Sequence, residues 1–270
     1  MAIAEVNGQK LYYEVHGEGE PLLCVAGLTC DTLVWIPQIQ AFSAAHRTVI
    51  FDNRDAGQSS MANGEYEIAD MAQDALALAD HLELDSFHLL GVSMGGMIAQ
   101  EIACRAPERV RTLTLAVSIP AGGAYARRVA EVWSARVAQI SHEQHVDELI
   151  LLNHSEGFFE NPDMVEFIRT AMLNNPHPQP PEAFARQLAA CGRHDARDRL
   201  GSLTMPVQVI GGEYDILLPV WKSRELADLI PGSKLTVLPG APHGLSIEHA
   251  EEFNALVLDF IREAAATPAA

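Results

Sequence analysis

Apolar residues along the chain gather into short runs of five to eight, rich in Val, Leu and Ile and separated by longer stretches with a helical repeat. The runs Pro21–Ala26, Arg47–Phe51, Ser86–Val92, Val110–Val117, Pro206–Ile210 and Lys234–Leu238 are too short for independent helices, and their continuous apolar character fits parallel strands covered on both faces. Ahead of them, Ala2–Val6 and Lys10–Val15 flank Asn7-Gly8, the dipeptide of a tight hairpin, so the chain is expected to open with antiparallel strands. Helical spacing appears in Ile68–Leu82, where Met71, Ala75, Leu78 and Leu82 share a face, and again in Met94–Arg105, Trp221–Leu229 and Glu248–Ala264. Strand and helix in alternation predict an α/β fold: a mostly parallel sheet with right-handed crossovers and helices on both faces.

The alternation stops between Pro120 and Leu203. There the sequence predicts only helices, over Tyr125–Ile140, His142–Asn153, Asp163–Asn174 and Pro181–Cys191, jointed by proline-bearing segments such as Asn175–Pro181. This block is expected to be an inserted helical cap, residues 120–202, with the core formed by residues 1–119 and 203–270.

Composition narrows the class of partner. The 270 residues carry 18 basic and 36 acidic side chains, a formal net charge of −18, which repels the phosphate backbone, so no nucleic acid is expected as a partner. No apolar run approaches the roughly 18 residues needed to cross a bilayer, and the N-terminus lacks a basic segment followed by an apolar one. Four cysteines without a C-x-x-C pair fit reduced thiols, and the expectation is a soluble, cytoplasmic protein with no membrane partner. The oligomeric state stays open between monomer and homodimer.

Candidate chemistry centres on Gly91-Val92-Ser93-Met94-Gly95-Gly96, which directly follows one predicted strand and opens a predicted helix. G-x-S-x-G should arise by chance only about 0.1 times in a chain of this length, and its context makes an incidental match rarer still. A nucleophilic serine on a strained strand-to-helix turn needs glycines two before and two after, where side chains would collide. The hydroxyl also needs a histidine base and an acid to orient it, in the order Ser, Asp, His. Asp215 follows the strand Val207–Ile210 and His243 follows Lys234–Leu238, both at the carboxyl edge where ligands bind in such sheets. Glu213 is the rival acid and His249 the rival base. Two backbone N–H groups should form an oxyanion hole: Met94 at the helix start, and one from Gly27-Leu28-Thr29, with Leu28 preferred.

These motifs resemble the α/β-hydrolase-fold serine hydrolases nearly end to end, with Gly91–Gly96 as the nucleophile elbow, Gly211–Asp215 as the acid loop and Ala241–Gly244 as the histidine loop. Asp52–Ser59 is similar to the family's D-x-R-G-x-G-x-S segment, with Asp55 where glycine is usual, and Ala26-Gly27 stands where histidine-glycine is usual. Tyr66–Leu82, Gly91–Ala103 and Arg224–Leu238 look most like the 3-oxoadipate enol-lactonases and the small bacterial esterases and lactonases near them. The resemblance implies hydrolysis of a small-molecule carboxylic ester or lactone, including an acyl-homoserine lactone or an enol-lactone, through an acyl-enzyme on Ser93 and without a cofactor.

A serine at the elbow argues against dehalogenase-like and epoxide-hydrolase-like relatives, which need a carboxylate nucleophile there. The chain has no H-x-H-x-D-H or H-E-x-x-H motif for a metal, and no G-x-G-x-x-G after a strand for a dinucleotide. Carbon–carbon bond hydrolysis or cofactor-free perhydrolysis on the same triad, or a triad-bearing receptor for a small molecule, remain the alternatives. Trp35, Phe158, Phe159 and Met172 are candidates to line an apolar substrate pocket, although such residues at helical spacing also build plain core. The cap arginines Arg127, Arg128, Arg136, Arg169 and Arg186 would either hold a substrate carboxylate or form a solvated face.

Overall fold

In a computed structural model describing residues 2–266, the chain forms one eight-stranded sheet in the order β1-β2-β4-β3-β5-β6-β7-β8. The strands are β1 (Ala2–Val6), β2 (Gln9–His16), β3 (Pro21–Val25), β4 (Arg47–Phe51), β5 (Phe87–Val92), β6 (Val110–Ala116), β7 (Val207–Gly212) and β8 (Lys234–Leu238). β1 pairs antiparallel with β2 across the Asn7-Gly8 turn, and β2 pairs antiparallel with β4. All remaining pairs are parallel. Each predicted strand is present, with ends shifted by no more than two residues; the central strands β3 to β7 are buried along most of their length, whereas β1, β2 and β8 toward the edges keep exposed positions. Leu23, Val25, Phe51, Leu89, Leu115 and Val209 point into one apolar cluster, whereas Leu22, Cys24, Ile50, Leu90, Ala116 and Ile210 point into a second on the opposite face.

Helices cover both faces. They are α1 (Ile36–Ser43), α2 (Ile68–His81), α3 (Met94–Arg105), α4 (Gly123–Val137), α5 (His142–Asn153), α6 (Glu156–Phe159), α7 (Pro162–Leu173), α8 (Pro181–Arg193), α9 (Arg197–Leu200), α10 (Val220–Asp228), α11 (Leu245–Glu248) and α12 (Ala250–Ala266). α2, α3 and α10 supply residues such as Met71, Ile98 and Leu226 to the first cluster. α1 and α12 close the second with Phe42, Phe253 and Val257. α1 was not expected from the sequence. It buries only Gln38 and Phe42 over eight residues, which is too few for a visible repeat, and Pro37 in its first turn is allowed where no intrahelical N–H is needed. The closing helix, expected over Glu248–Ala264, is two helices broken at His249. Among the described residues no helix is long and apolar enough to cross a membrane.

α4 to α8 lie between β6 and β7. The chain leaves the sheet and returns to it at one neck, where Ala121 bridges Asp195, Gly122 N–H donates to His194 O (2.9 Å) and Ala196 N–H donates to Pro120 O (2.9 Å). From Ala196 onward the buried residues Ala196, Leu200 and Leu203 rejoin the first cluster. Within the insert, α4 packs along α8 around Ala130, Val137, Phe184 and Leu188. α5, α6 and α7 form their own small core around Val146, Ile150 and Phe158.

Candidate active site

Ser93 occupies the single residue between β5 and α3, with φ 57° and ψ −119°. That left-handed φ costs an L-residue about 1–3 kcal/mol, so the surroundings must fix it. They do so from both sides: Ser93 N–H donates to Ala116 O (2.9 Å), and Ser93 O accepts from Gly96 N–H (2.9 Å) and from the Ser118 hydroxyl (2.9 Å). The glycines of the motif are sterically required. A Cβ at Gly91 would lie 2.3 Å from Gly95 O, one at Gly95 only 2.0 Å from Val25 O, and one at Gly96 2.5 Å from Ser118.

Three residues distant in sequence meet at this turn. His243 Nε2 lies 3.0 Å from Ser93 Oγ, and His243 Nδ1 lies 2.7 Å from Asp215 Oδ2. Asp215 is 4% exposed and His243 8%, so the pair is held out of bulk water. The other carboxylate oxygen, Oδ1, accepts N–H bonds from Leu217 (2.9 Å) and Leu218 (2.8 Å). An acceptor carboxylate facing Nδ1 fixes the proton on that nitrogen and leaves Nε2 a lone pair directed at the serine hydroxyl. The rival acid Glu213 points elsewhere, its Oε2 accepting from Gly240 N–H at 2.9 Å, and so braces the histidine loop. The rival base His249 sits between α11 and α12, near Glu252 (3.9 Å).

Loops from the other elements complete the surroundings. The acid loop is laced to the histidine loop by Tyr214 N–H to Ala241 O (2.9 Å), and Gly244 N–H donates to Asn153 O at the end of α5 (2.7 Å). Met94 N–H is the first amide of α3 and has no partner within the helix. Gly27, at the end of β3, comes so close that its Cβ would sit 3.3 Å from Ser93 Cβ. Leu28 follows it. Cys30, on the same loop, is no rival nucleophile, because burial pushes its thiol up to about 12. Among the described residues no cluster of three His, Cys, Asp or Glu side chains could hold a metal ion.

The four expected pocket residues fall in three places. Trp35 is 2% exposed in the second sheet cluster, among residues such as Phe42 and Phe253, and is core and not cleft wall. Phe158 and Met172 share the small core of α5 to α7, and Phe159 is 39% exposed. A cavity of about 260 Å³ lies in the insert between α4, α5 and α8, walled by Trp133, Val137, His145, Leu149, Leu152 and Phe184 together with the ion-paired Arg136 and Glu148. His145 meets the Phe184 ring edge-on at 5.1 Å, and burial lowers its pKa, which keeps it neutral at pH 7. Val137 and Phe184 also belong to the cluster against which Leu28 packs, so the cavity adjoins the loop beside Ser93.

Four of the five arginines considered for a substrate carboxylate are already engaged. Arg128 pairs with Glu131, Arg136 with Glu148, and Arg169 with Glu143 and Asp147. Arg186 makes a two-pronged contact with Asp55, at 2.8 and 2.7 Å. The Arg186–Asp55 pair was invisible in the sequence apart from one signal, the aspartate standing where the related motif has glycine. Asp55 has φ 67°, is wholly buried, and also accepts from Tyr66 Oη (2.7 Å) and Ala62 N–H (2.8 Å).

Comparison with known proteins agrees with this fold. A family model described as the alpha/beta hydrolase fold matches residues 20–250. RutD of Azorhizobium caulinodans, a protein named for carbamate hydrolysis, is 29% identical over 264 residues, covering 97% of this chain and 99% of its own. The pimeloyl-acyl-carrier-protein methyl ester esterase of Aliivibrio salmonicida is 29% identical over 253 residues, covering 90% and 92% of the two chains. Among solved structures, the enol-lactonase of Burkholderia xenovorans LB400 superposes with a TM-score of 0.88 at 26% identity, covering 97% of this chain and all of that one.

Proposed function

The chain belongs to the alpha/beta hydrolase fold family, and on that premise we propose that it hydrolyses neutral carboxylic esters and lactones through an acyl-enzyme on Ser93. The observation that carries this reading is the unbroken chain of contacts from Ser93 Oγ through His243 to Asp215, at 3.0 and 2.7 Å. Ser93 Oγ attacks the acyl carbon as its proton passes to His243 Nε2. Asp215 stabilises the imidazolium so formed. The oxygen that gains charge is held by the Leu28 and Met94 amides, and loss of one such donor typically costs about 2.7–4 kcal/mol of barrier. His243 then gives its proton to the departing alkoxide, which leaves as an alcohol or, from a lactone, stays tethered to the acyl group. A water, deprotonated by the same nitrogen, cleaves the acyl-serine and releases the acid.

The substrate class follows from what surrounds the site. The 260 Å³ cavity beside Leu28 is walled by apolar side chains, a neutral histidine and the mutually paired Arg136 and Glu148, and suits the acyl portion of a small uncharged ester. A substrate carboxylate finds Arg128, Arg136, Arg169 and Arg186 already paired, and a chain of net charge −18 repels it. Residues 120–202 serve here as a cap over the site.

Acid release at constant pH tests the reading, measured on short and medium acyl esters, a γ-lactone, an acyl-homoserine lactone and an enol-lactone bearing a free carboxylate. Neutral esters or lactones are expected to turn over, the carboxylate-bearing compound at least about tenfold more slowly, and Ser93→Ala to lose at least about a thousandfold. Equal rates for Ser93→Ala, or no opening of any ester or lactone, overturn the proposal. Carbon–carbon hydrolysis or ligand binding without turnover then moves to the front.

A further inference from the structure

The cap touches the loop beside Ser93 through one helical face. Phe184, Gln187 and Leu188 stand at i, i+3 and i+4 on α8, the spacing that aligns side chains on one side of a helix. Phe184 and Leu188 belong to the small apolar cluster against which Leu28 packs. Gln187 reaches the next residue of the loop: its Oε1 accepts from Thr29 N–H at 3.4 Å and from Gln179 Nε2 at 2.9 Å, while its Nε2 donates to Arg54 O at 2.8 Å. The Gln187 side chain is wholly buried, so each of these groups would lose a partner that water does not replace.

Thr29 needs such a partner. It is a β-branched residue held at φ 69°, a left-handed conformation that such side chains rarely adopt. The loop lacks the histidine usual before Gly27. Ala26 stands there, and its carbonyl accepts from Asn53 Nδ2 at 3.1 Å. The aspartate that replaces glycine at position 55 draws α8 onto the same spot, because Arg186 binds its carboxylate and Gln179 donates to its carbonyl (2.7 Å). Both departures from the family pattern therefore lie where the cap meets the loop.

From this geometry we infer that Gln187, on the cap helix, is a positioning residue that sets the orientation of the Leu28–Thr29 peptides and hence of the oxyanion-binding amide at Leu28. The inference rests on the ester-hydrolase reading above. It makes the cap a working part of the hole, as well as a cover over it, and it acts on the transition state and not on substrate binding. A misaimed donor forfeits interaction with the developing oxyanion but leaves the neutral ground-state carbonyl almost unaffected.

The experiment compares wild type, Ser93→Ala, Gln187→Met and Gln187→Glu on a neutral ester that wild type turns over. Each is assayed below its melting temperature, with inhibition by a trifluoromethyl ketone, which forms an oxyanion in the same hole. Gln187→Met is expected to lower kcat about 30-fold, part of the 10²–10³ range for losing a whole donor, with KM within about twofold. The ketone should weaken by the same factor. Gln187→Glu keeps an acceptor for Thr29 N–H but can donate to Arg54 O only when its buried carboxyl is protonated, so it should recover most of the loss at low pH and lose it again as the pH rises. If Gln187→Met does not fold, Gln187→Asn, one methylene shorter and unable to span Thr29 and Arg54 together, is read in the same way. A folded variant with kcat within threefold of wild type, or with its loss in KM, overturns the inference. Inactive Ser93→Ala beside such a variant leaves the hydrolase reading standing, whereas an equally active Ser93→Ala sinks that reading itself.

Discussion

Asp215→Asn is expected to lower kcat on a neutral ester by about 10⁴, the size of effect seen when a triad carboxylate becomes an amide, while the protein stays folded. The reason lies in which atoms are already occupied. Oδ1 of Asp215 accepts from the Leu217 and Leu218 amides, so the amide oxygen of asparagine takes that position and turns its NH₂ toward His243 Nδ1. Nδ1 must then accept, which moves the ring proton to Nε2. That nitrogen faces Ser93 Oγ at 3.0 Å and can no longer take the serine proton. Steady-state kinetics with a thermal melt of the same preparation checks this. A loss below a hundredfold in a folded variant would mean that the carboxylate does not set the tautomer.

The largest effect on stability is expected at Arg186. Arg186→Leu leaves the Asp55 carboxylate wholly buried without its cation, and breaking a buried pair from one side typically costs about 3–5 kcal/mol. The Tyr66 hydroxyl and Ala62 amide still donate to Asp55, so a loss near the lower bound, about 3 kcal/mol, is expected. Asp55→Gly in the same chain removes both the orphaned charge and the left-handed aspartate, and should restore most of the stability lost. Arg186 touches no reacting group but helps to hold α8, and with it Gln187, against the loop at Leu28, so kcat of the folded single variant should fall by less than the about 30-fold expected of Gln187→Met. Denaturant unfolding of wild type, both single variants and the double variant measures the coupling. Additive losses would show that the pair is not what ties α8 to the core.

These two sites also mark how far the sequence could be read. Strands such as Leu22–Val25 were legible because both faces are buried and the apolar run is continuous, and α3 because its repeat follows directly on the glycine motif. Ser93, Asp215 and His243 were legible because each stands just beyond a predicted strand, and the sheet brings those ends together. α1 left no repeat to find. The cap contacts left none either, because Arg186 meets Asp55 across 131 residues and Gln187 meets Thr29 across 158, with no local pattern tying them. Assigning the pocket to Trp35 failed for a related reason: a large apolar residue near a loop is as suited to core as to cleft, and packing against Phe42 and Phe253 settles which.

The claim at the centre is that Ser93 is the atom that attacks. Labelling with a fluorophosphonate, followed by peptide mapping, tests it most directly, because the reagent bonds only to a nucleophile activated by its neighbours. The expected result is one label per chain, on Ser93, accumulating in step with the loss of ester hydrolysis and absent from Ser93→Ala. Label on any other residue while activity falls, or full activity with Ser93 labelled, would contradict it.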